Sequence, residues 1–299
     1  MDFKAITIFS ISTLITFNAF CQNLVKRDFD NLKINNLKEE GINTEFDDRY
    51  PMILPDGLTM YFSSNRPRPD GQNDLDIYVT HRRSNKDVWN VPIKLNSMVN
   101  SSFDDHSVTI STDGHYMYFG SNRSGNWDLF TSYRKDVNND FGWNQATNMG
   151  PQINSESVDL CPYFHQSKNE TRLYFPSNRA GGVGQSDIYY SILNKDKNEW
   201  QAPIMLEGIN STDHEKHFEP TNGLIWSSRT GGKGKDDIWI ASFDKAIGKW
   251  GNPSCLEFPI NTENNEGMPS ITKDNSEFYF HSDRPSGKGG FDIYYAIMK

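Results

Sequence analysis

Apolar and polar residues alternate with a period of two through most of the chain, in short runs broken by Gly, Asn, Asp and Pro. The pattern predicts β-strands joined by tight turns. In the first such unit, a run from Arg49 to Leu54 leads through an Asp56-Gly57 turn to a second run from Leu58 to Ser63. A Gly-bearing loop follows, then a third run opening on Asp76-Ile77-Tyr78, then a fourth that carries Trp89. The whole unit recurs. Tyr61-Phe62-Ser63-Ser64-Asn65-Arg66 returns as Tyr118-Phe119-Gly120-Ser121-Asn122-Arg123 and as Tyr174-Phe175-Pro176-Ser177-Asn178-Arg179. A shortened copy reads Ile225-Trp226-Ser227-Ser228-Arg229, and the last is Tyr279-Phe280-His281-Ser282-Asp283-Arg284. The third run returns at Asp128, Asp187, Asp237 and Asp292, and the fourth at Trp143, Trp200 and Trp250.

Four antiparallel strands per repeat make the blade of a β-propeller. Ile42-Asn43-Thr44 punctuates the first unit and returns at Asn100, Asn154, Asn210 and Asn261, with spacings of 57, 54, 56 and 51 residues. A period of this size belongs to propellers and solenoid arrays. The expected fold is therefore all-β, a five-bladed propeller spanning residues 42–299. The fifth repeat stops after its third strand, at the end of the chain. Its missing fourth strand is expected from residues 22–41, a closing segment that would leave the ring without an open edge.

Residues 1–21 read as a secretory leader: Lys4 precedes an apolar run from Ala5 to Phe17, and Ala19-Phe20-Cys21 offers a cleavage site. The run is shorter than the ~20 residues of a spanning helix, and no transmembrane span is expected in the mature chain. The protein is thus expected to be exported, to the periplasm, to the outer membrane or beyond the cell. Lipidation of Cys21 stays open as an alternative. Beyond the leader only Cys161 and Cys255 remain, at different repeat positions, and they read as two thiols rather than a disulfide. A net charge of −9 argues against a nucleic-acid partner, which needs a clustered basic surface.

The Ser-Asn-Arg, the following Gly-x-Gly-x-x-Asp-Ile-Tyr and the preceding hairpin with its Asp-Gly turn resemble the PD40, or WD40-like, β-propeller repeat related to the propeller of the periplasmic protein TolB. The resemblance covers about residues 42–299. It implies an exported binding module of the bacterial envelope, although the helical repeats and OmpA-like domains often joined to such propellers have no counterpart here.

Five residues after each repeat Asn stands an acid: Asp48, Asp105, Asp159, Glu215 and Glu266. These are expected to begin the innermost strands and to ring the channel. Clustered carboxylates suit a hard cation. Each acid, however, sits as far before its hairpin turn as an Arg sits after it, which pairs Asp48, Asp105, Asp159, Glu215 and Glu266 with Arg66, Arg123, Arg179, Arg229 and Arg284 across the strands. Ion pairing is the favoured reading, with Asp213 an alternative to Glu215 in the fourth blade. The sequence calls for no metal and no cofactor.

The repeated Trp residues and the Tyr-Phe pairs are expected to pack between blades. Trp127, Trp226 and Trp239 stand where other repeats carry different residues, and with His214 and His217 they are the candidate binding residues. The spacing His214-x-x-His217 on a strand points the two rings to opposite faces, which argues against zinc. Glycines in the loops after each Arg are expected to supply positive φ.

No nucleophile elbow, zinc-helix motif or Cys–His pairing appears. A glycosidase needs two unlike carboxylates at singular positions, whereas these acids recur in every blade. The expected function is accordingly a non-catalytic scaffold binding an envelope protein through its loop-rich face. Binding of a cell-wall or extracellular glycan, or a glycan hydrolase or lyase, are the alternatives.

Overall fold

The computed structural model describes residues 29, 31–37, 41–68, 71–221, 224–244 and 247–298, with backbone alone for 224–226. The leader and the start of the closing segment, residues 22–28, lie outside the described residues. The first strand, β1 (Ile34–Asn36), belongs to the last blade. Blade 1 is β2 (Asp48–Ile53), β3 (Thr59–Ser64), β4 (Asp76–His81) and β5 (Ile93–Lys94). Blade 2 is β6 (Asp105–Ile110), β7 (Tyr116–Ser121), β8 (Asp128–Tyr133) and β9 (Thr147–Asn148). Blade 3 holds β10 (Tyr163–Gln166), β11 (Thr171–Ser177), β12 (Asp187–Asn194), β13 (Glu199–Trp200) and β14 (Ile204–Met205). Blade 4 holds β15 (Glu215–Thr221), β16 (Leu224–Arg229), β17 (Asp237–Asp244), β18 (Lys249–Trp250) and β19 (Ser254–Cys255). In blade 5, β20 (Glu266–Ile271), β21 (Glu277–Ser282) and β22 (Asp292–Ile297) are followed by β1, whose Asn35 lies opposite Tyr295. The protein is a five-bladed, all-β propeller.

The outermost strand differs from its expected form. In blades 3 and 4 it is broken into two short pieces, and Trp200 and Trp250 sit on the first piece, against the far end of the third strand. The Trp89 and Trp143 rings each lie 4.4 Å from a guanidinium, of Arg82 and Arg134 respectively, and both rings are buried. Between blades the core is aliphatic and aromatic. Tyr61, Ile77 and Val79 of blade 1, for example, form one cluster with Val108, Ile110, Met117 and Phe119 of blade 2.

Two polar devices, each repeated five times, join the blades. Each repeat Asn lays its carboxamide along the third strand of the preceding blade, as a strand would. Asn100 accepts from the Ile77 N–H at 2.8 Å and donates to the Ile77 carbonyl at 3.0 Å, and Asn43, Asn154, Asn210 and Asn261 do the same to Ile293, Leu129, Ile188 and Ile238. The acid five residues on is the second device. One oxygen of Asp48 accepts from the N–H and hydroxyl of Thr44, the other from Arg66 at 2.6 Å, and Arg66 also donates to the Ile42 carbonyl. One ionic staple thus fixes a connecting loop, an inner strand and its neighbour. Every acid of the set has 0% exposure, so the pairing removes the cost of a buried lone charge.

The glycines of the loops answer to space more than to φ. Gly181 and Gly231 have positive φ, but the recurring pair that follows does not. A Cβ on Gly182, Gly232 or Gly287 would stand 2.0 to 2.2 Å from the Asp that opens the next strand. A Cβ on Gly184, Gly234 or Gly289 would stand 1.8 to 2.4 Å from a carbonyl oxygen of the following blade.

Candidate functional site

The five acids do not face the channel. The residue after each one does, because the inner strand is kinked just beyond it. Pairing with the second strand slips between Arg49 and Met52, between His106 and Thr109, between Glu215 and His217, and between Gly267 and Ser270. Such bulges bend a strand and re-aim its side chains. At the kink Tyr50, Ser107, Cys161 and Met268 hold φ of 57°, 58°, 44° and 50°, a left-handed conformation at the same repeat position in four of five blades. For residues other than Gly this costs on the order of 1–3 kcal/mol each and persists only where the surroundings enforce it.

The result is a front cavity of about 600 Å³ at the end of the channel where the inner strands begin. Its walls come from repeat positions that vary from blade to blade. Arg49, His106, Leu160, Lys216 and Gly267 follow the acids; Trp127, Ser186, Asp236 and Phe291 precede the third-strand Asp; Pro176, Ser228 and His281 come from the second strands. Tyr50, Cys161 and Met268 reach it from the kink, and His214 from the loop before β15.

Aromatic faces dominate the interior. The Tyr50 ring stacks on His106 with centroids 4.5 Å apart, and His106 in turn meets Trp127 at 4.7 Å. The Tyr50 N–H donates to Nδ1 of His281 at 3.1 Å, which leaves the proton of a neutral His281 on Nε2. Burial holds His106 down at about 3 and, with Arg49 beside it, takes His281 well below the ordinary histidine range, so both rings are neutral near pH 7. Burial likewise pushes the Tyr50 phenol up to about 12 and the Cys161 thiol up to about 11. Cys161 is a buried thiol facing Ser107 Oγ at 3.3 Å and has no thiolate character. Cys255 is also a free thiol. The charges of the cavity are Arg49, paired with Asp47, and Lys216, whose ammonium lies 2.7 Å from Asp236. Asp236 is the one carboxylate among the described lining residues.

Of the residues singled out from the sequence, Trp127 and His214 line this cavity. His217 is buried below it, with neither ring nitrogen hydrogen-bonded, and Tyr163 lies edge-on at 6.2 Å. Trp239 occupies the register place of Tyr78 and Tyr294 and stacks under the Arg229 guanidinium at 3.9 Å. Trp226 pairs through its backbone with Glu219 and Ile240, and its side chain lies outside the described residues. The acids and arginines meet as pairs: Asp48 with Arg66 and Asp159 with Arg179 at 2.6 Å, Asp105 with Arg123, Glu266 with Arg284 at 3.2 Å, and Glu215 with Arg229 at 3.5 Å. In blade 4 the missing Asn moves Arg229 into the register place held by Ser64 in blade 1, and Glu215, not Asp213, meets it.

No protein-family model and no curated protein sequence matches the chain. Solved structures do. A family 43 β-xylosidase/α-arabinofuranosidase from a compost metagenome, in complex with xylotriose, is similar at TM-score 0.58 and 13% identity, over 89% of this chain and 94% of that one. An endo-arabinase from Bacteroides thetaiotaomicron gives 0.57 and 15%, over 87% and 95%. A family 117 glycoside hydrolase from Zobellia galactanivorans gives 0.56 and 12%, over 90% of each chain. At these identities the likeness establishes the fold.

The comparisons overturn two expectations. The resemblance to PD40 and TolB-type repeats does not hold, because the similar structures are glycoside hydrolase propellers. The repeated Ser-Asn-Arg and Asp-Ile-Tyr signature reports the staple and the blade of this chain, and so it misdirects. The expectation of a non-catalytic scaffold for an envelope protein falls with it, since the similar proteins act on glycans. Among the described residues, no helix is long and apolar enough to cross a membrane.

Proposed function

We propose that this protein is an enzyme acting on a glycan, which it takes at the front cavity of the channel. The observation that carries the reading is the cavity itself. Trp127, Phe291 and Tyr50 line it with aromatic rings that sugar rings can meet, and neutral imidazoles and amide groups offer hydrogen bonds to hydroxyls. The fold is one that glycoside hydrolases use. The leader-like start of the sequence supports action outside the cytoplasm.

Two bond-breaking chemistries suit the residues. Hydrolysis needs two carboxylates, one to give the proton and one to act as base or nucleophile, and Asp236, beside Lys216, would supply one of them. β-Elimination from a uronate needs a cation against the sugar carboxylate, a base to take the proton from C5 and an acid for the departing oxygen. Arg49 or Lys216 would supply the first, a neutral imidazole of His106 or His214 the second and the protonated Tyr50 phenol the third, and the presence of a single carboxylate among the described lining residues favours this reading.

The test is incubation with xylan, arabinan, agar and pectate, following new reducing ends and the ultraviolet absorbance of unsaturated uronate. Reducing ends alone mean hydrolysis; both signals mean elimination. Trp127→Ala should lower either by about tenfold, the loss of one aromatic contact. A panel on which the parent neither binds nor cleaves any glycan would contradict the proposal.

A further inference from the structure

The channel holds two separate cavities, with the kinked positions of the inner strands between them. The kink residues Tyr50, Ser107, Cys161 and Met268, with His217 from blade 4, occupy one repeat position, the second after each acid, and the last four are 2 to 7% exposed. The front cavity and a rear cavity of about 580 Å³, lined by the inner hairpin turns, have no lining residue in common. Contacts fix the floor between them: Tyr50 on His106 and His281, and Ser107 Oγ on Cys161 Sγ. Four left-handed non-glycine residues hold it in place, which a mere filling of space would not require.

Resting on the glycan-acting reading above, we infer that the front cavity is blind and receives the terminus of a glycan chain, not its middle. A chain laid across the face touches only the rim, where Trp127 and Phe291 stand. Contact with the floor, where Tyr50, His106 and His281 sit, requires an end that points down the channel axis. The floor stops the chain from threading further, so the terminal sugars alone are enclosed. The substrate class is thus chain ends and short oligosaccharides, attacked one end at a time.

The experiment uses the full chain with xylan, arabinan, agar and pectate. Each is presented intact and after partial acid hydrolysis, which multiplies chain ends at constant mass. Bound protein and released product are measured per gram. The inference expects the signal to rise in proportion to the number of ends. A signal unchanged by hydrolysis, or larger on intact chains, overturns it while leaving the glycan reading standing; no signal on any glycan in either form overturns both. A second variant addresses the floor. Tyr50→Gly keeps the backbone conformation, since Gly accepts φ of 57° without strain, and removes the ring. Its preference for ends should be lost, and a preference equal to the parent's would contradict a floor made by Tyr50.

Discussion

The carboxamide of Asn43 is hydrogen-bonded to both the N–H and the carbonyl of Ile293, at 2.8 Å each, across 250 residues of sequence. It joins the first blade to the last and repeats between every other pair of blades. Asn43→Ala leaves two buried backbone groups without partners, for which about 2 kcal/mol is expected. Urea unfolding of the variant should show that loss, and a midpoint equal to the parent's would show that the clamp does not hold the ring.

The staples give a second prediction. Arg123→Met strands the fully buried carboxylate of Asp105, whose pKa burial already raises against the pull of Arg123. A loss of about 3 kcal/mol is expected, and the double variant Arg123→Met with Asp105→Leu should recover a large part of it, since an apolar pair needs no charge compensation. Thermal denaturation of the three proteins decides this. Equal melting of single and double variants would place the cost elsewhere.

Two glycines separate space from backbone conformation. Gly289 has an ordinary φ, and a Cβ there would meet the Phe46 carbonyl at 1.8 Å; Gly248 has φ of 67° with open space around it. Gly248→Ala should cost about 1 kcal/mol, and Gly289→Ala about 3 kcal/mol or more because backbone of the neighbouring blade must move. The reverse order in a chemical-denaturation series would refute the close-approach account of the loops.

The neutral histidines make stability depend on pH. His106 titrates near 6.5 when unfolded and at about 3 when folded, so between these values the unfolded chain binds the extra proton. The stability that this group contributes is therefore present above pH 6.5 and is lost as the pH falls toward 3, at about 1.4 kcal/mol for each pH unit. His281 acts in the same direction. The difference in stability between the parent and His106→Gln should shrink steadily from pH 7 to pH 4, and a difference independent of pH would mean that His106 is not held neutral.

The fold was legible because one unit is written five times: the Asn, the acid, the Arg and the Asp-Ile-Tyr run all serve the blade and its joints. The candidate site was legible only where a residue broke the repeat conspicuously. Trp127 and His214 did so, and both line the front cavity. Arg49, Tyr50, His106, Lys216, His281 and Phe291 were missed, although each stands one or two places from an invariant position. The usable signal was variation beside invariance, since the kink that turns these positions inward repeats with the blade. The kink itself left no trace in the alternation, because Tyr50, Ser107, Cys161 and Met268 are not residues that announce a left-handed backbone. Trp239 misled for the opposite reason: it varies in identity but keeps the structural place of Tyr78 and Tyr294.

The central claim is that a glycan occupies the front cavity, and hydroxyl-radical footprinting with the best-recognised oligosaccharide tests it most directly. Protection is predicted at Trp127, Phe291 and Tyr50, with oxidation of Val88, Val91 and Phe141 on the outer edge of the blades unchanged. Protection of the outer edge, with Trp127 and Phe291 as reactive as in the free protein, would contradict it.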